Sequence, residues 1–238
     1  MKKTVKRLLW AIAIPLGLIF VAAIIFLWNF LSATKSMTPA ETAAINDSVW
    51  CIKDRFVNAF IFKGEKSYLM IDAGLGNTKF RQELDKLGIG PEEITTLLLT
   101  HTDGDHTGSI GLYPNATVYM HKDEEQMING TTGKTKFSKT KWKYGPYKLL
   151  DNNDTLIIDG LKIKIIHTPG HTPGSVCYVI GGDYLVSGDN LIVANGKYEH
   201  FVEKFNMKTT EQIESLKILP SPVTFKYILT SHNGVVKN

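Results

Sequence analysis

Two imidazoles and two carboxylates fall within six residues at His101-Thr102-Asp103-Gly104-Asp105-His106, directly after the apolar run Ile94 to Thr100. A strand end cannot bury four such side chains unless a positive charge pairs with them, because an unpaired carboxylate is costly to desolvate. Imidazole with carboxylate is the ligand set of divalent zinc, iron or manganese. One hexapeptide cannot complete that shell, so further ligands must arrive from other strand ends.

Three other segments repeat the pattern of a strand ending in a polar group. His171 lies between two Pro-Gly pairs in the run from His167 to Ser175, Asp189 follows Gly188 after Tyr184 to Ser187, and His232 follows Tyr227 to Thr230. Short apolar runs at Val49–Lys53, Val57–Lys63 and Tyr68–Asp72 predict a β meander, and Thr78–Leu87 carries Phe80, Leu84 and Leu87 at helical spacing before Gly88. Asn115–Met120 reads as a strand. Asp154–Asp159 with Lys162–His167, and Ser175–Ile180 with Tyr184–Ser187, read as hairpins. A helix at Thr209–Leu219 and a strand at Thr224–Thr230 complete the pattern. Strands that outnumber interleaved helices predict an α/β (α+β) chain, two packed sheets with helices outside.

The N-terminal part reads differently. From Leu8 to Leu31 there are 24 residues without a charge, about 36 Å of helix against roughly 30 Å of bilayer core. Lys2, Lys3, Lys6 and Arg7 precede it and Lys35 follows. The positive-inside rule then puts residues 1–7 in the cytoplasm, makes 8–31 a transmembrane signal-anchor, and places the rest outside. Secretion after signal-peptide cleavage is the alternative, against which stand the length of the run and the lack of a small-x-small site near Leu31. Residues 32–47 read as a tether and 48–238 as the catalytic domain. Without those five basic residues the 27 Lys and Arg become 22 against 23 Asp and Glu, so charge gives no reason to expect a nucleic-acid partner. A small-molecule substrate and the membrane are the expected partners. Oligomeric state is not legible.

These motifs, in this order, resemble the metallo-β-lactamase fold superfamily of metal-dependent hydrolases, whose pattern is His-x-His-x-Asp-His, a Gly-His-Thr-x-Gly turn, a bridging Asp and a last His. The resemblance covers residues 48–238 and implies an αββα sandwich of two mixed sheets. It implies two divalent cations, zinc first: one at His101, Asp103 and His171, the other at Asp105, His106 and His232, with Asp189 between them. Asp105 and Asp189 take the catalytic roles, fixing an attacking hydroxide and carrying a proton. Asp72, in Ile71-Asp72-Ala73-Gly74, corresponds to a residue that holds the metal loop by hydrogen bonds.

The chain departs from the family at Asp103, where the pattern has His. A carboxylate there favours iron or manganese more than an imidazole would, and loss of the first ion is the other consequence. An iron redox protein, or a metal-free binding or sensor domain, is therefore the competing functional class. Asp189 argues against a true β-lactamase. A hydroxyacylglutathione hydrolase has a further helical domain, whereas this chain ends six residues after His232, and lactonases of the family have Tyr where Ile192 stands. The expectation is a binuclear hydrolase of an ester, lactone, thioester or phosphodiester.

His121, His167 and His200 match no ligand position and read as ordinary structural residues. The segment 131–150 carries six lysines (134, 136, 139, 141, 143 and 148) and no acid. It reads as a solvated loop, with a flap for anionic substrate or lipid as the alternative. Cys51 and Cys177 lie in strand-like segments, where buried free thiols are expected over a disulfide.

Overall fold

Along Val57–Lys63 alternate side chains enter two different hydrophobic layers, Phe60 and Phe62 on one face, Ala59 and Ile61 on the other. With both faces covered, such a strand reads as a continuous apolar run. The computed structural model describes residues 2–135 and 138–238. Met1, Lys136 and Phe137 lie outside the described residues, as do the side chains of residues 2–9, including the basic flank, and of Asn77.

The chain divides into two units, residues 1–37 and 38–238. In the first, helix α1 runs Lys2–Thr34 with Pro15 inside it. Its stretch Trp10–Thr34 is long and apolar enough to cross a membrane.

In the second unit the strands form two sheets and a hairpin. The first sheet has the order β1 (Ala43–Asn46), β2 (Val49–Asp54), β3 (Val57–Lys63), β4 (Tyr68–Ile71), β5 (Ile94–Leu98), β6 (Thr117–His121), β7 (Tyr147–Leu150). It is antiparallel from β1 to β4 and parallel from β4 to β7. The other strands are β8 (Thr155–Ile158), β9 (Leu161–His167), β10 (Val176–Ile180), β11 (Tyr184–Gly188), β12 (Leu191–Ala194), β13 (Lys197–His200), β14 (Tyr227–Thr230) and β15 (Gly234–Lys237). The second sheet runs β15-β14-β11-β10-β9-β8, with β11 and β14 parallel and the other pairs antiparallel, and β12 pairs with β13.

Phe60, Phe62, Ile71, Leu98, Ile165, Tyr178, Val186 and Leu229 form the core between the sheets. Helix α2 (Asn77–Leu87) covers the outer face of the first sheet with Phe80 and Leu84, and ends on left-handed Gly88, whose N–H reaches back to Leu84. Short helices α3 (Gly104–Thr107) and α4 (Glu125–Ile128) follow β5 and β6. Helix α5 (Thr209–Leu216) contributes Leu216 to the outer layer of the second sheet. The expected layered fold of two mixed sheets with outer helices is what the structure has.

Several local features differ from the sequence reading. The segment 32–47, expected as a tether, contains β1, an edge strand too short and too Ala-rich to carry a period-two signal. Buried Asn58 fastens the neighbouring chain, accepting from Ala40 N–H at 2.8 Å and donating to the carbonyls of Ala40 and Ile52 at 2.8 and 3.1 Å. The lysine-rich segment is not wholly a solvated loop, since β7 extends the first sheet and Trp142 and Tyr147 pack on its outer core. Cys51 and Cys177 are free and lie in different layers, and burial pushes both thiols up to about 12.

Replacing Asn58 by Ala strands the Ala40 peptide and should cost about 2–3 kcal/mol. A lower urea midpoint with unchanged slope is the expected result, and an unchanged midpoint would mean that residues 38–42 add nothing to the fold.

Candidate metal centre

Each of the four candidate histidines is gripped from outside through Nδ1. His101 Nδ1 meets Thr100 Oγ1 at 3.1 Å, and that hydroxyl donates to Asp72 at 2.8 Å. His106 Nδ1 meets Asp72 Oδ2 at 2.8 Å, His171 Nδ1 meets Asn206 Oδ1 at 3.0 Å, and His232 Nδ1 meets the Phe56 carbonyl at 2.7 Å. All four partners accept, so the proton sits on Nδ1 and, in the neutral ring, the Nε2 lone pair is left to face inward. Asp72 also takes the Thr100 N–H at 2.8 Å, from a left-handed backbone with φ of 60°. One strained aspartate thus orients the first and the last residue of the hexapeptide.

The strand ends deliver these rings to one place. His101 and His106 come from the loop after β5, His171 from the turn between β9 and β10, Asp189 from the residue after β11, and His232 from just beyond β14. Gly188, at φ 56°, makes the turn that puts Asp189 inside, and a Cβ there would lie 2.4 Å from Thr100 Oγ1.

Asp189 straddles two clusters. Its Oδ1 is 3.2 Å from His106 Nε2 and 3.1 Å from His232 Nε2, and its Oδ2 is 3.2 Å from His232 Nε2, 3.4 Å from His171 Nε2 and 3.9 Å from His101 Nε2. Asp103 Oδ2 lies 3.4 Å from His101 Nε2 and 3.1 Å from His171 Nε2. Asp105 Oδ2 lies 3.5 Å from His232 Nε2 and 3.8 Å from His106 Nε2. All seven residues expected from the sequence therefore meet, in the two groups expected.

A cation fits this arrangement. Among the described residues, His101 Nε2, His106 Nε2 and Asp189 Oδ1 are buried without a hydrogen-bond partner, a state that a divalent ion relieves. The groups His101/Asp103/His171, His101/His106/Asp189 and Asp105/His106/His232 each place three donor atoms within 4.8 Å of one another.

Without an ion the charges compensate internally. Burial would depress the His106 imidazole, but Asp189, Asp72 and Asp105 outweigh it and hold it well above the usual range. Burial likewise opposes charge on His232, and Asp189 and Asp105 raise it. Burial and neighbouring His106 push His101 down to about 4. Asp189 stays well below the usual carboxylate range because His232 and His106 overcome its burial.

Sequence reasoning missed the residues that surround the ligands. Buried Glu124 accepts from Thr102 N–H and hydroxyl at 2.8 and 2.7 Å through Oε1, and from the Thr172 hydroxyl and Gly174 N–H at 2.6 and 3.0 Å through Oε2. One carboxylate thereby ties together two ligand loops. Lys134 donates to Asp103 Oδ2, to His171 Nε2 at 2.9 Å and to the Phe205 carbonyl at 2.9 Å, using all three ammonium protons. Lys134 stood out only as one lysine among six, and nothing local marks Glu124 or Asn206. A cavity of about 210 Å³ adjoins Asp103, lined also by Thr102, Met127, Lys134 and Ser138.

The family model described as the metallo-beta-lactamase superfamily matches residues 52–232. A probable metallo-hydrolase of Methanocaldococcus jannaschii is 30% identical over 153 residues, 64% of this chain and 64% of that protein. An atrochrysone carboxyl ACP thioesterase of Pseudocercospora fijiensis is 22% identical over 171 residues, 68% of this chain and 45% of that protein. In both cases the match spans less than two thirds of the relative's own length. Among solved structures, a B3 metallo-beta-lactamase with an active-site glutamic acid has a TM-score of 0.65 at 16% identity, over 88% of this chain and 87% of that one, and shares the fold.

Two outcomes follow from the geometry. His106 and His232 both have raised pKa values, so they take up protons more readily than free imidazoles, and any such proton on Nε2 must leave when a cation takes that atom. Zinc uptake should release at least about one proton per chain and tighten as pH rises. Calorimetry in buffers of different ionisation enthalpy measures this, and an enthalpy independent of buffer would contradict it. Lys134 competes with a cation for Asp103 and His171, so Lys134→Met should strengthen metal binding, by about tenfold or more. Chelator competition reads the change, and unaltered or weaker binding would contradict it.

Proposed function

The chain belongs to the metallo-beta-lactamase superfamily of metal-dependent hydrolases, and we propose that it hydrolyses a small ester, thioester or lactone at a centre for two divalent cations, zinc first. The observation that carries this reading is the carboxylate of Asp189, which stands between the two His/Asp clusters, Oδ1 toward His106, Oδ2 toward His171 and His101, and His232 within reach of both oxygens. Asp103 and His171 with His101 would hold one cation, and Asp105, His106 and His232 the other. When bound, such ions supply an activated water nucleophile and polarise the oxygen of the group under attack.

The residues divide the remaining work. Asp189 is buried and held ionised, so it orients without exchanging protons with solvent. Asp105 reaches solvent more than Asp189 does, and its carboxylate would carry a proton toward a leaving group. Asp72, Asn206, Thr100 and the Phe56 carbonyl keep the four imidazoles in the tautomer that presents Nε2. With a cation at Asp103 and His171, the Lys134 ammonium would be released toward the adjoining cavity, where it would suit an anionic acyl chain or carrier. The thioesterase among the relatives favours thioesters as the first substrates to try, and the bridging carboxylate speaks against a β-lactam.

Basic residues 2–7 before the apolar helix support a cytoplasmic N-terminus, so hydrolysis would occur on the outer side of a membrane. In intact cells, protease added outside should degrade a tag fused after residue 238. Full protection until lysis would reverse the topology.

Asp189→Ala should remove bound metal and lower turnover roughly 10³-fold or more on acyl thioesters and esters. Retained activity with an undiminished metal complement would sink the proposal.

A further inference from the structure

Two histidines that match no ligand position of the main centre meet in space. His121 ends β6 and His167 ends β9, and their rings stack at 3.9 Å between centroids and 16° between planes. Asp123 stands over them, its Oδ2 3.8 Å from His121 Nδ1 and 3.8 Å from His167 Nε2. The three donor atoms lie within 4.8 Å of one another. A tetrahedral ion held at about 2.0–2.1 Å spaces its ligand atoms about 3.3–3.5 Å apart, so binding requires Asp123 to close on both imidazoles by about 0.3–0.5 Å and the stacked rings to tilt until their lone pairs converge. His121 is 1% exposed and faces Asp123 with its Nδ1, the nitrogen that would carry the ion. A cavity of about 230 Å³ adjoins the group on the side of Asp123 and His167, lined also by Gln126, Glu211 and Lys208. It leaves room for a water, or for Glu211, as a fourth ligand.

We infer that His121, Asp123 and His167 form a further binding site for a zinc-type divalent cation, separate from the catalytic centre and structural in role. Two imidazoles and one carboxylate are a ligand set for such an ion. Binding displaces two hydrogen bonds, a long one of 3.2 Å from Asp123 N–H to His121 Nδ1 and one of 2.9 Å from His167 Nε2 to the Pro173 carbonyl. The His167 ring then carries its proton on Nδ1. The place gives the ion its effect, since it would pin the end of β6 to the end of β9. The residue after Asp123 is Glu124, which holds the loops of Thr102 and of Thr172 and Gly174. A cation here braces both ligand loops of the main centre without touching substrate.

The test uses the full chain in detergent, freed of metal and titrated with Zn²⁺, in wild type and in Asp123→Asn and His167→Gln. Asp123 is surface-exposed, so its variant should fold, and the His167 variant gives an independent arm. Each variant should bind one zinc fewer per chain than wild type by elemental analysis. Each should also lose part of the zinc-induced rise in Tm while keeping the metal-free Tm. Equal zinc content in wild type and both variants would overturn the inference. So would a lowered content with an unchanged zinc-induced rise, because the ion would then brace nothing. Both readings are differences from wild type, so they stand whether or not the main centre takes two ions or turns over a thioester.

Discussion

Four histidines held by Nδ1 and aimed by Nε2 are the constraint from which the site and much of the fold around it follow. An imidazole offers one lone pair, and where it points depends on what the other nitrogen bonds. Here the outer partners are Thr100, Asp72, Asn206 and the Phe56 carbonyl, drawn from distant parts of the sequence. Those partners must be in register before any ligand points inward. The two sheets supply that register, because β5, β11 and β14 all end at the same edge of the sandwich and the turn after β9 closes over it.

Burying this much ionisable material demands compensation inside the protein. Part of the compensation is protonic, since Asp189, Asp72 and Asp105 raise the His106 imidazole against its burial and Asp189 and Asp105 raise that of His232. At Asp103 it is an ammonium, since Lys134 reaches across to pair with that carboxylate. The departure of residue 103 from the family pattern and the position of Lys134 are therefore two sides of one arrangement. An imidazole at 103 would give a lysine no charge to pair with. Glu124 solves a different problem: through neutral donors alone, its buried carboxylate joins two ligand loops that are far apart in sequence.

The parts legible in the sequence were those written into local patterns. The hexapeptide, the Pro-Gly turn around His171, and Asp189 and His232 at strand ends each announce themselves within a few residues, as do β3, β9, β10 and α2. Strands β1, β7, β12, β13 and β15 were not read, being four-residue segments at sheet edges or in a small hairpin, mostly half-exposed, where alternation is too short to register. Lys134, Glu124 and Asn206 were hidden for another reason. Their roles depend on partners between 22 and 71 residues away and on no motif of their own. His121 and His167 looked ordinary singly, and only the packing of β6 and β9 into separate sheets sets their rings face to face.

The account stands on cations filling the space between Asp189 and the four Nε2 atoms. Crystals grown with zinc and measured on both sides of its absorption edge locate any ion directly. The expected result is strong anomalous density about 2.0–2.2 Å from Asp189 and from the Nε2 atoms of His106 and His232, with a second peak toward His101, Asp103 and His171. An active protein with no anomalous density beside Asp189 would contradict it.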